Sequence, residues 1–521
     1  MNLISKKIWR SLWPLALFLI VFAAHLLLVH GKFLSPAEIF DGRPIVNYDY
    51  GLHYYDVLKG VDFLNEKFSF TGYDTAFMGG YLKGFIDDAS SKLWILFVWI
   101  FQWLGVLSAY KLFVYLTIVS MPLLFFAALK VWGFSLLPAI SGMALAILYQ
   151  NTFKLGNFLW VGMITFPLAV YLSFLCMALL KRYFSRGCHT LLAIFTVMAA
   201  IAFYSHILAA ILIGAVALIL YSMHFKKLTK KQHIYFALSP LIVVLVNTPW
   251  VLPFLRGLDM KDAALSVNFF QSPGFSQSMK EIFWPFLDTF HSFNIRGALF
   301  VLGFFSLIIL WKKKRKAAVF ITASFAAFSF ITYSGLSFLR EIQPYRFLIV
   351  GDLLLIFAIV YVLRIFELKK TMLALIIAVL LSLQVFPSTF KTGRILANDF
   401  GGDHEALVEY FKDLDLKGRV LFEVEHASDA IFFHLETGYE MIGGPYRYMV
   451  LRDGGANFTE ESLFGSRLND VSESIFYEGL EKYNIKAIVC HSEKACKVPA
   501  GFLQEAAEAG NFGKYKIYLL K

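Results

Sequence analysis

The chain has 521 residues, 58% of them hydrophobic and 16% charged, with a formal net charge of +11. A soluble domain carries about 25% charged residues, so an ordinary soluble enzyme is excluded. The positive excess sits in short clusters between apolar runs, such as Lys312, Lys313, Lys314, Arg315 and Lys316. That is the anchoring pattern of membrane helices, and it excludes nucleic acid as a partner.

The first element follows Lys6, Lys7 and Arg10, as an apolar run from about Ser11 to His30. It is long and has no small-x-small cleavage site, so it reads as an anchoring helix rather than a removed signal peptide. Residues 31–92 form a polar and aromatic loop. Apolar runs then centre near 93–107, 109–128, 131–149, 160–180, 190–203, 207–223, 234–255, 297–311, 317–333, 347–364 and 371–388. They are continuous rather than alternating, and therefore helical rather than barrel strands.

Charge bias orders these runs across the bilayer. If 93–107 does not cross, the N-terminus, Lys130, Lys181/Arg182/Arg186, Lys226/Lys227/Lys230/Lys231, Lys312 to Lys316 and Arg364/Lys369/Lys370 all lie inside. The run at 93–107, with Trp94, Phe97, Trp99 and Trp103, then lies in the interface. The expectation is an α-helical polytopic membrane protein of about eleven spans plus one interfacial helix. Loop 31–92, a short loop at 150–159, the Ser205-His206 turn, 256–296, 334–346 and the C-terminal region face outward. Only the outer face has enough chain to build a pocket.

Residues 1–390 form the membrane domain and 391–521 a C-terminal domain of soluble composition. In the latter, HEALVEYFKDLDLKG (His404 to Gly418) has helical spacing, and RVLFEVE, IKAIVC and KYKIYLL read as elements of a small α/β domain on the extracytoplasmic side. Cys490 and Cys496 are either a disulfide or two free thiols.

Several residue groups can carry chemistry. In NYDYGLHYYD (47–56), Asp49, His53 and Asp56 share one helical face among tyrosines. A carboxylate there serves as a base, or the face simply meets water. In GYDTAFMGGYLKGFIDDASSKLW (72–94), Asp87 and Asp88 either hold a divalent ion or cap the helix starting near Ser90. His206 interrupts an apolar stretch in AFYSHILAA, as a ligand contact or as a surface turn. Arg340, Tyr345 and Arg346, in LREIQPYRF, place arginine where charge bias would not, and Arg256 is a weaker case of the same kind. Arginine there binds phosphate oxygens or lipid headgroups.

The single N-terminal span, the YDYGLHYY run and the GYDTAFMGGYLKGFIDDASSKL stretch in a long external loop, the interfacial helix and the external C-terminal domain together resemble the GT-C superfamily of membrane glycosyltransferases. That superfamily includes protein mannosyltransferases, oligosaccharyltransferases and lipid A aminoarabinose transferases, and the likeness spans roughly residues 1–390. The resemblance implies a sugar donor linked to polyprenyl phosphate, inverting transfer outside the membrane, and a catalytic carboxylate at Asp49. It matches Asp87 or Asp88 only loosely to metal-binding acids. The chain lacks the WWDYG-type run of oligosaccharyltransferases, which argues against N-glycan transfer. No cofactor is required for departure of a phosphate, and a divalent cation (Mg or Mn) is the open alternative. Partners are then the polyprenyl-phosphate sugar, membrane lipids and a glycan, lipid or protein acceptor. The rival readings are a non-catalytic carrier or assembly protein, and a transporter. A transporter needs polar groups at mid-membrane, where Asp352 is the main exception in otherwise apolar spans.

Overall fold

A computed structural model describes residues 3–85, 90–260, 295–333, 343–366, 400–423, 427–443, 462–464, 466–467, 471–491, 498–499, 502 and 507–520. The run at 371–388, Arg340, Asp87, Asp88 and Cys496 lie outside the described residues. The chain divides into two units. One is Met1–Ile39, Leu112–Asn247 and Phe270–Ile395; the other is Phe40–Lys111, Thr248–Phe269 and Leu396–Lys521. The expected division into 1–390 and 391–521 is a division along the sequence, whereas the compact units interleave, with the 40–111 segment grouping with the C-terminal region.

The first unit holds α1 (Leu3–Lys32), most of α4 (Val106–Trp132), α5 (Leu136–Gln150), α6 (Phe153–Val161), α7 (Thr165–Arg186), α8 (His189–Ser205), α9 (Ala209–His224), most of α10 (Lys230–Gly257), α11 (Ile295–Lys313), α12 (Arg315–Tyr333) and α13 (Leu348–Ile365). Of the second unit's helices, α2 (Asp49–Lys67) and α3 (Lys92–Phe101) precede α4 in the chain. Eight described helices are long and apolar enough to cross a membrane, and the bent pair α5–α6 makes a ninth. The 17-residue α8 is shorter than that measure. The 150–159 segment is not the loop expected: α6 occupies most of it, at 63° to α5. Thr152 begins α6 with extended backbone, and its hydroxyl donates to the Tyr149 carbonyl.

Pro122 lies inside α4. Having no N–H, it cannot bond the carbonyl of Ile118 one turn before. In hydrocarbon that carbonyl needs another donor. Gln150 Nε2 supplies one to Ile118 at 3.1 Å, and His25 Nε2 donates to the neighbouring Val119 carbonyl at 3.2 Å. Two polar side chains buried among apolar helices are thus explained by one proline.

The basic ends of the helices collect at one end of this unit. Lys181 and Arg182 donate to the Trp132 and Val131 carbonyls, and Arg364 lies over the Phe134 ring. At the other end Arg296 pairs with Asp352 at 2.8 Å, and Tyr149 donates to the same carboxylate at 2.8 Å. The sequence exception Asp352 is therefore a triad joining α5, α11 and α13.

In the second unit, α3 spans ten residues, about 15 Å at helical rise. That is too short to cross, as expected of the 93–107 run. Ile100 and Trp103 beside it are exposed. A hairpin of β1 (Gly72–Asp74) and β2 (Tyr81–Lys83) pairs Tyr73 with Leu82. Gly79, Gly80 and Gly84 have positive φ, which glycine adopts without a Cβ penalty, so these glycines shape the hairpin.

The C-terminal region folds as α14 (Gly402–Lys412), β3 (Arg419–Phe422), α15 (Ala427–Thr437), β4 (Met441–Ile442), the short pair β5 (Ser462–Leu463) and β6 (Ser466–Arg467), α16 (Glu473–Lys482), β7 (Ile485–His491), β8 (Ala507–Phe512) and β9 (Tyr515–Leu519). Its five-stranded sheet has the order β4-β3-β7-β9-β8, with β4, β3 and β7 parallel and β9 antiparallel to β7. This is the small α/β domain the sequence indicated. Phe411, Phe422, Phe433, Val489 and Ile517 pack its core. Cys490 is disulfide-bonded, whereas Cys176 and Cys188 are free.

Candidate functional site

Helix α2 begins at Asp49 because Tyr48 turns the chain with φ +37°, an unusual value for a non-glycine residue. Ser428 of α15 holds that turn, its hydroxyl donating to the Tyr48 carbonyl at 2.7 Å. Gly51 is the contact point: a Cβ there would stand 2.4 Å from Ser428 Oγ. Asp49 is half-buried in the first turn of α2.

The helix puts Asp49, His53 and Asp56 on one face, as the spacing predicts, but their surroundings diverge. His53 is 8% exposed, with Nδ1 3.1 Å from Ser91 Oγ and its ring against Trp94. Asp56 is buried in an ion pair with Lys83 at 2.6 Å, which ties α2 to the hairpin. One residue earlier, Tyr55 donates to both oxygens of Asp74 at 3.0 and 2.8 Å, and the Ala76 N–H donates to the same carboxylate. Burial, and then Asp74, push the Tyr55 phenol far above its ordinary value.

A divalent cation needs several oxygen ligands. The carboxylates of Asp41, Asp56 and Asp74 already meet Lys111 and Arg43, Lys83, and Tyr55 respectively. Among the described residues no group of three His, Cys, Asp or Glu is placed to hold a metal. Asp87 and Asp88, the acids the sequence offers for a cation, lie outside the described residues.

The second cluster lies in the membrane unit. Pro344 opens a 3-10 turn, Pro344–Phe347, that leads into α13. Its Arg346 has Nη1 3.2 Å from His206 Nε2 and Nη2 3.6 Å from the Met163 sulfur. His206 follows the end of α8 in extended backbone, in the turn the sequence indicated. Its Nδ1 accepts the Leu208 N–H at 3.1 Å, at the start of α9. The contact sets a permanent cation beside an imidazole, a pairing suited to an anionic ligand.

Tyr345 packs on Phe158, and Lys154 of α6 lies 5.6 Å from the Tyr345 ring. The same unit contains a narrow crevice of about 10 Å³, room for a single water, lined by Val170, Ser173, Phe174, Leu212, Phe328 and Val350. Leu212 is six residues beyond His206 and Val350 four beyond Arg346, so the crevice begins one to two helical turns from that pair. Arg256 is exposed on α10, in the other unit. Sequence reasoning passed over Lys154 and Arg296. Both are lone basic residues at the ends of apolar runs on the expected outer side, the signal that singled out Arg346.

No curated protein matches the chain in sequence. Among solved structures, it is similar to the archaeal oligosaccharyltransferase AglB from Archaeoglobus fulgidus in complex with an inhibitory peptide and a dolichol-phosphate. That match has a TM-score of 0.45 and 13% identity and covers 93% of this chain and 70% of that one. The apo form of the A. fulgidus oligosaccharyltransferase gives a TM-score of 0.48 at 12% identity with the same coverage. A third structure of that enzyme, in complex with Zn and sulfate, gives 0.45 and 13% over 91% of this chain and 68% of the other. A family model described as "6-pyruvoyl-tetrahydropterin synthase related domain; membrane protein" matches residues 99–392, more than half of the sequence, and the chain belongs to that family of membrane proteins.

Proposed function

We propose that this membrane protein transfers a sugar from a polyprenyl-phosphate donor to an acceptor hydroxyl on the extracytoplasmic face, with inversion at the anomeric carbon. The observation that carries the reading is the Arg346–His206 contact at the start of α13, which sets a guanidinium beside an imidazole in the membrane unit. A phosphate headgroup is met by such a charged donor.

In the proposed step the acceptor oxygen attacks the anomeric carbon and passes its proton to the Asp49 carboxylate. The bond from that carbon to the phosphate oxygen breaks, and its electron pair leaves on the phosphate. Arg346 and His206 stabilise the charge gathering there. Lys154, beside Tyr345, adds a second cation to that end of the unit. His53 and Asp56 are assigned to holding α2 in place. Arg256, Arg340 and Tyr345 remain candidate donor contacts, and no step is routed through a metal.

The test is transfer of radiolabelled sugar from a panel of polyprenyl-phosphate sugars, in membranes carrying wild type, Arg346→Ala, His206→Ala or Asp49→Asn. Losing one such donor costs roughly 10² to 10³ in rate, and the Arg346 and His206 variants are expected to fall in that range. Asp49→Asn is expected to abolish transfer while leaving donor binding intact. Unchanged transfer in Asp49→Asn removes the base assignment. Donor binding without transfer in wild type overturns the enzyme reading in favour of a non-catalytic carrier.

A further inference from the structure

The C-terminal sheet carries a feature that the proposed transfer does not use. At the starting ends of the parallel strands β3, β4 and β7 lies an open cleft of about 620 Å³. Its walls are the end of α14 and the loop after it, the end of α15 and the loop into β4, and the turn before β7. Lys412, Asp415, Arg419, Thr437, Tyr439 and Glu440 line it.

The cleft is stiff without a ligand. The Tyr439 hydroxyl bonds the Phe411 and Leu414 carbonyls and accepts the Leu416 N–H, fixing the loop after α14. Asn484 donates to the Lys417 carbonyl at 3.1 Å, and Arg419 donates to the Tyr483 carbonyl at 3.2 Å. Arg419 also pairs with Glu440 at 2.8 Å. A site already held in shape loses little freedom on binding.

Its chemistry is charge-balanced. Lys412 and Arg419 face Asp415 and Glu440, so a nucleotide, an acidic peptide or a basic peptide would meet like charge on one side. What the walls offer is the exposed donor Lys412 and the exposed acceptor Asp415 beside the aromatic body of Tyr439. A neutral ligand dense in hydroxyl groups pairs with both kinds, and its C–H faces pack on the aromatic ring. The volume lies within the range of small-ligand sites, about 300–1,000 Å³.

We infer that this cleft binds a neutral oligosaccharide, at a subsite separate from the transfer residues. Helix α15 runs from Ser428, which holds the Tyr48–Asp49 turn, to Thr437 at the cleft. Its eleven residues span about 16 Å. A chain of several sugars is long enough to lie between them, so the ligand is assigned as the non-reacting part of a glycan acceptor. That last assignment alone rests on the proposed transfer; binding itself does not.

The experiment uses the full chain in nanodiscs and saturation-transfer NMR with maltotriose, cellotriose, mannotriose and chitotriose. Trigalacturonate is the charged control. The test variant is Lys412→Ala/Asp415→Ala, two exposed residues whose side chains make none of the bonds that fix the cleft. At least one neutral trisaccharide is expected to bind, with affinity reduced tenfold or more in the double variant and retained in Arg346→Ala. Absence of binding by every neutral probe, equal binding in the double variant, or preference for trigalacturonate overturns the inference. Binding lost in the double variant while Asp49→Asn transfers normally would sink the base assignment and leave the cleft standing.

Discussion

His404 shows how one buried residue couples the C-terminal domain to pH. It is 1% exposed, stacked on Phe400, with Nε2 3.8 Å from Glu436. Burial holds its pKa down at about 4, against a smaller upward pull from Asp429 and a downward push from Lys514. The folded state therefore stays neutral where the unfolded chain, with an ordinary value of 6.5, is already protonated. Stability is full above about pH 6.5 and falls as pH drops toward 4. Replacing His404 with Phe is expected to flatten that slope. Thermal melting of wild type and variant at pH 7.5 and 5 measures it, and equal losses in both would assign the acid sensitivity elsewhere.

At the scale of elements, two contacts decide how helices meet. The Pro122 break in α4 is stabilised by Gln150, so Gln150→Leu should cost about 1–3 kcal/mol by leaving a buried carbonyl without its donor. In a Pro122→Ala background the restored N–H serves that carbonyl, and the same substitution should cost much less. A double-mutant cycle on melting temperature reads the difference. The second contact is the meeting of α2 and α15. Gly51→Ala forces the Ser428 backbone, 3.0 Å from the new Cβ, to move. Such overpacking costs about 1–3 kcal/mol. Gly31→Ala, inside α1 with nothing within 4 Å, is the control and should cost no stability.

Across the membrane unit, polar and basic residues separate to opposite ends. Arg346, His206 and the Arg296–Asp352–Tyr149 triad mark one end, and Lys181, Arg182 and Arg364 the other. Cys188, exposed just beyond α7, belongs to the basic end. A membrane-impermeant maleimide should label Cys188 and an introduced Trp160→Cys from opposite sides of sealed vesicles. Labelling of both from one side would break the proposed topology, and with it the placement of the chemistry on the outer face.

The sequence alone determined what depends on composition and local pattern. Runs of apolar residues specify membrane helices because an unpaired backbone cannot lie in lipid. Charge bias reads the 93–107 run as non-crossing, and the helix there, α3, has ten residues. The order of helix and strand in the last 130 or so residues announced an α/β domain. Candidate residues stood out in the sequence where residue type and surroundings disagree, as with Arg346 at the end of an apolar run and His206 within an apolar stretch. Only the tertiary structure decided which of them meet. Asp56 and Asp49 look alike in sequence, yet Asp56 is buried against Lys83, 27 residues away, whereas Asp49 is only half-buried. The pairing of His206 with Arg346, 140 residues apart, is likewise invisible to spacing. Such partners are chosen by how helices pack, which depends on the shapes of many side chains together and is written in no short stretch of sequence.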